Sequence, residues 1–167
     1  MAEFPTKSTG EVVTAADWNQ IEDYVSLSGA ILRKGSGQTL PTGSTTELTW
    51  ETAVYDRGGW VDLANNRFVV PAGVEFVRIL ASIRFATNDN GARRLTFAVN
   101  GSGSVVGVPD VMVGASQSLQ TRIAAVSAPI AVSANDTIEC RAFQNSGLNL
   151  DIENVSNTWF AVERVIG

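Results

Sequence analysis

From residue 30 onward the chain is a succession of short runs in which apolar and polar residues alternate, each closed by Gly, Pro, Asn or Ser. A period of two sends successive side chains to opposite faces of a strand, so the chain must bury one face of many short strands at once. That is the pattern of an all-β sandwich or barrel. It predicts strands over residues 30–33, 47–55, 67–70, 74–86, 93–100, 119–126, 137–144 and 158–165. In "RRLTFAVN", Leu95, Phe97 and Val99 share a dry face. In the longest strand Val77, Ile79, Ala81, Ile83 and Phe85 make one apolar face, yet Val74, Phe76 and Leu80 on the other face are apolar too. That second face needs cover from the other sheet, a helix or another subunit.

The punctuation between strands carries its own expectations. Asn90-Gly91 is the dipeptide that best tolerates the positive φ of a tight hairpin, which makes residues 74–86 and 93–100 expected antiparallel neighbours. Residues 35–43, "GSGQTLPTG", read as a loop. Trp50 and Trp159 lie inside strand patterns and read as core or interface packing, whereas Trp60 beside Gly58-Gly59 and Trp18 read as contacts to another chain.

One segment has helical spacing. In "TAADWNQIEDYVSL", Thr14 and Asp17 approximate a capping box, and Trp18, Ile21 and Val25 follow at i, i+3 and i+7. Four turns are not stable alone in water, so this face has to dock on something. The expected organisation is an N-terminal arm and docking helix over residues 1–29 and a head domain over residues 30–167.

Composition removes several function classes. A net charge of −5 with only two adjacent basic pairs, Arg33-Lys34 and Arg93-Arg94, argues against nucleic acid or an anionic membrane as partner. With no histidine and a single cysteine, Cys140, the usual zinc ligand sets are absent and the commonest general base is missing. Cys140 sits in the alternating run "DTIECRAF" and is expected as a buried structural thiol. "MAEFPTKSTGEVV" carries Glu3 and Lys7 and lacks the apolar run of a signal peptide, so synthesis in a cytoplasm is expected.

Motifs for chemistry are equally sparse. Asp151 and Glu153 in "LNLDIEN" share a strand face but read as solvated carboxylates rather than an acid–base pair. "NGSGSVVG" has glycines without the Lys-Ser/Thr and helix of a phosphate loop. "TNDNG" offers the oxygens of Asn88, Asp89 and Asn90 to a cation without the downstream bidentate acid of a strong calcium site. No catalytic residues, no metal ligands and no cofactor are therefore expected.

"WVDLANNRFVVPAGVEFVRILASIRF" resembles the central signature of the trimeric jelly-roll superfamily of tumour necrosis factor (TNF) and the globular heads of complement C1q, through Phe68, Pro71, Gly73 and Phe76. Downstream, Asn135-Asp136-Thr137-Ile138 resembles that superfamily's Gly-Asp-x-Val element, and "NTWFAVERVIG", with Phe160, its closing strand. Position 75 departs from the pattern, with Glu where tyrosine is usual. The resemblance implies an antiparallel jelly-roll β-sandwich, here with a short N-terminal α-helix and extended arm. It also implies assembly as a homotrimer through apolar strand faces, with Val74, Phe76 and Leu80 at the interface.

The leader "GEVVTAADWNQIEDYV" resembles N-terminal attachment segments of small tailed-phage fibre, head-fibre and decoration proteins. This second resemblance implies a non-enzymatic virion protein, a trimeric capsid decoration (cement) or head-spike subunit on the particle surface. Its docking residues would be Trp18, Ile21, Tyr24 and Val25, and its partner the major capsid protein or another virion protein. The alternative is a tail-fibre tip that holds a host glycan in the loops 88–92 and 101–109, although neither loop carries an aromatic residue.

Overall fold

The computed structural model describes residues 11, 12, 14, 15 and 28–166. The segment read as a docking helix, with Trp18, Ile21, Tyr24 and Val25, lies outside the described residues. The remainder is a sandwich of two antiparallel sheets.

One sheet has eight strands. Its centre is β7 (Phe76–Phe85), flanked on one edge by β14 (Trp159–Arg164) and β13 (Leu150–Ile152), and on the other by β10 (Thr121–Val126) and β11 (Ile130–Ala131). Beyond β14 lie β1 (Gly29–Arg33) and then β4 (Thr52–Arg57), and β2 (Gln38–Leu40) pairs with β13. The other sheet has six strands. Its centre is β12 (Thr137–Gln144), paired on one edge with β8 (Ala92–Val99), which continues to β9 (Asp110–Gly114). On its other edge β12 meets β3 (Thr45–Glu47) and β6 (Arg67–Val69), and β6 pairs with β5 (Val61–Asp62).

The two inner faces close on an aromatic cluster. Phe160 lies 4.6 Å from Phe68, 5.6 Å from Trp50 and 6.0 Å from Phe97, measured between ring centroids. The predicted inner row of β7 (Val77, Ile79, Ala81, Ile83 and Phe85) is fully in this core, as are Leu95, Phe97 and Val99 of β8, and Cys140 is buried with them. Burial holds the Cys140 thiol far above its ordinary range, so it stays protonated.

The signature residues explain their own spacing. Gly73 has φ +79, a left-handed conformation that favours glycine. Pro71 follows Val70, whose N–H donates to the Asp136 carbonyl at 2.8 Å, while its carbonyl accepts from the Asn135 N–H at 2.8 Å. Asn135 takes the left-handed turn position at φ 70. The Asp136 carboxylate accepts from the Ser133 N–H and from Asn100 Nδ2, both at 2.8 Å.

The structure corrects four sequence readings. β7 and β8 are not paired: they belong to different sheets, and the Asn90-Gly91 loop carries the chain across the end of the sandwich. Only Gly91 of that dipeptide has positive φ, and the next residue, Ala92, is held by its N–H to Asn145 Oδ1 at 2.5 Å. The expected single strand over 47–55 is β3 and β4 in different sheets. Between them Leu48 donates its N–H to the Cys140 carbonyl and Glu51 to the Arg33 carbonyl, as Leu48 and Trp50 plunge into the core.

Trp60, expected at a contact with another chain, is fully buried within the protomer, its indole N–H donating to Ser28 Oγ at 3.0 Å. Val74 likewise packs into the protomer's own core at 5% exposure, which removes it from any intermolecular face. The short strands β2, β5, β9, β11 and β13 lie outside the expected set. Most are only two or three residues long, too short to show an alternating period.

Candidate assembly surface

The outward residues of the eight-stranded sheet form rows perpendicular to the strands, because directly opposed residues of antiparallel strands share a face. One row is apolar from end to end. Tyr55 of β4 opposes Ile31 of β1, Ile31 opposes Ala161 of β14, Ala161 opposes Leu80 of β7, and Leu80 opposes Val126 of β10. Tyr55 (40%), Ile31 (36%) and Val126 (55%) are exposed, Leu80 is half-buried, and Ala161 between its larger neighbours is 8% exposed.

The small side chain of Ala161 makes this row concave. A depression of about 350 Å³ follows it, lined among others by Gly29, Ile31, Tyr55, Leu80, Trp159 and Ala161. Gly29 lines it too, and a Cβ at that position would run into the carbonyl oxygen of Val162 on the adjoining strand. On one flank Arg78 and Glu163 oppose each other and pair at 2.7 Å; on the other Trp159 opposes Ser82.

The outer face of the six-stranded sheet has the opposite character. Arg141 pairs with Glu139 at 2.6 Å, Arg94 with Asp110 at 3.7 Å, and Arg67 with Asp62 at 3.0 Å. Arg94 also lies over the Phe143 ring at 5.0 Å. Ion pairs of this kind, one within β12 and two across neighbouring strands, suit a wetted face.

Of the three residues assigned to the interface by sequence, Leu80 lies in the middle of the apolar row, Phe76 is 40% exposed at the start of β7 on the same outward side, and Val74 is internal. Ile31, Tyr55, Ala161 and Val126 of the same row were not singled out from the sequence. They come from four other strands, and only the register brings them into line.

The candidate chemical sites are occupied by internal contacts. Asp151 accepts from Thr39 Oγ1 at 2.5 Å, and Glu153 pairs with Arg84. In "TNDNG", Asn88 Oδ1 accepts the Asn90 N–H at 2.9 Å and Asp89 Oδ1 the Ser118 N–H at 2.6 Å. Among the described residues no group of three or more Asp, Glu, Cys or His side chains is placed to hold a metal, and no helix is long and apolar enough to cross a membrane.

No protein-family model matches the chain, and no curated protein sequence matches it. Among solved structures it is similar to Eiger TNF from S. frugiperda, with 7% identity and a TM-score of 0.55, covering 84% of this chain and 93% of that one. It is also similar to murine APRIL, with 11% identity and a TM-score of 0.59, covering 84% of this chain and 100% of that one. At such identities the likeness establishes the fold: a TNF-like jelly roll.

Proposed function

We propose that this chain is a non-enzymatic structural protein of a tailed-phage particle, a homotrimeric decoration (cement) or head-spike subunit. Copies associate through the outer face of the eight-stranded sheet, and the N-terminal segment attaches the trimer to the shell. The observation that carries the self-association is the apolar row Tyr55–Ile31–Ala161–Leu80–Val126, set against a second sheet whose outer face is laced with ion pairs. A continuous apolar strip on one face only is the mark of a surface that another chain covers.

The particle assignment rests on the leader "GEVVTAADWNQIEDYV" and its docking residues Trp18, Ile21, Tyr24 and Val25. A glycan-holding fibre tip has less behind it, since Asn88 Oδ1 accepts from Asn90 of its own loop and Asp89 Oδ1 from Ser118 of a neighbouring one. Two measurements test the proposal: native mass of the full chain, expected to be that of a trimer, and imaging of purified particles with a label on residues 30–167, expected on the head surface. A monomer at micromolar concentration overturns the assembly. Label confined to the tail tip overturns the decoration role.

A further inference from the structure

A second constellation lies at the opposite end of β1 and owes nothing to the assembly surface. Lys34, immediately after β1, turns its side chain fully out of solvent. Its Nζ donates to the Thr49 carbonyl at 2.7 Å, to Thr49 Oγ1 at 3.0 Å and to Gln38 Oε1 at 3.1 Å, beneath the Trp50 ring at 5.7 Å. The same Gln38 oxygen accepts the Thr49 N–H at 2.9 Å and the Thr49 hydroxyl at 3.2 Å, and Gln38 Nε2 donates to the Glu47 carbonyl at 2.9 Å.

Glu51 Oε1 stands 4.0 Å from Nζ, its carboxylate anchored by the Gly35 N–H at 2.6 Å and by Ser36 Oγ at 3.0 Å. Burial pushes the Lys34 amine below its ordinary range, although the nearby Glu51 charge opposes that shift. A buried amine thus sits against a carboxamide whose oxygen already receives two donors, with a carboxylate beside it. Those are the parts of an acyl transfer: nucleophile, oxyanion donors and base.

We propose that Lys34 and Gln38 join in an intramolecular isopeptide bond with release of ammonia. Glu51 takes one proton from the Lys34 ammonium. The amine attacks Gln38 Cδ, and the negative charge that grows on Oε1 is held by the Thr49 N–H and hydroxyl. The Nζ–Cδ bond forms. Glu51 passes its proton to Nε2 while it receives the second proton from Nζ; the Cδ–Nε2 bond breaks and ammonia departs, leaving as ammonium with the proton Glu51 still holds. Oxidant and cofactor are not required. The product closes residues 34–38 into a ring and ties the exit of β1 to the edge strand β2.

Intact mass of the denatured full chain is the test. The wild type is expected to weigh less than its sequence by one ammonia, about 17 Da, with fragmentation locating the loss within residues 34–38 and Lys-specific proteolysis failing at Lys34. Asn90-Gly91 and Asn100-Gly101 can also lose ammonia by cyclisation, but they lie on other peptides and reopen in mild base. Glu51→Gln, which keeps the shape of the side chain, is expected at full sequence mass. Wild type at full sequence mass, or a loss confined to other peptides, overturns the bond. A cross-linked Glu51→Gln chain overturns Glu51 as the proton carrier.

Discussion

Leu80 and Ala161 face each other across β7 and β14 on the outside of the sandwich, and the difference in their size makes the floor and wall of the apolar depression. Val162, the next residue along β14, points the other way and is buried in the core. One strand therefore serves two surfaces, the protomer's own core and the face proposed for assembly.

Leu80→Arg places a charge in the middle of the apolar row without entering the core. The expected result is a folded chain with cooperative unfolding that light scattering reports as a monomer at concentrations where the wild type is expected to be trimeric. A trimer that persists would locate the interface elsewhere.

Phe160→Ala removes the ring at the centre of the Trp50, Phe68 and Phe97 cluster. The loss of unfolding free energy should be about 3–5 kcal/mol in denaturant titration, the range for truncating a fully buried aromatic.

Gly91→Ala tests the sheet-to-sheet crossing. Gly91 has φ +73, and a Cβ there would meet the Asn145 carbonyl oxygen at 2.5 Å. Thermal unfolding should show a loss of roughly 1 kcal/mol or more, whereas the same change at Gly103, where φ is not positive and the nearest atom is at 3.8 Å, should be milder.

Arg93→Lys addresses a residue that the sequence marked only as half of a basic pair. Its guanidinium is fully buried over the Phe85 ring and donates to the carbonyls of Asn88, Asn90 and Ala92. Lysine cannot span these carbonyls as a planar fork, so hydrogen exchange in residues 88–92 should accelerate and stability fall by about 1–3 kcal/mol.

The pH profile follows from Asp62. The hydrogen bond from the Asn65 side chain is the largest cause holding its carboxyl below the ordinary value of 3.8; burial opposes it, and Arg67 and the Asn65 N–H add to the lowering. A carboxylate lowered in the folded state contributes stability above its unfolded value and loses it as pH falls through the folded one. Acid unfolding of Asp62→Asn should therefore show a shallower loss of stability below about pH 4 than the wild type.

Much of the strand content was legible because alternation is a local signal. The inner row of β7, the dry face of β8 and the burial of Cys140 all follow from neighbours a few residues away. The same rule misread Asn90-Gly91: a turn-forming dipeptide bends the chain but does not say which sheet the next strand joins. It also ran β3 into β4, since Leu48 and Trp50 keep an alternating pattern while the chain crosses the core.

Alternation and turn residues were enough to make this chain all-β, a sandwich or barrel, and the resemblance carried by Phe68, Pro71, Gly73 and Phe160 narrowed that expectation to a jelly roll. Tertiary structure alone decided that Trp60 and Val74 turn inward, that Lys34 is buried against Gln38, and that Tyr55, Ile31, Ala161, Leu80 and Val126 stand in one row. Periodicity is set by the backbone within a strand. Pairing and register come from contacts between residues far apart in the chain, and they decide which apolar face is covered.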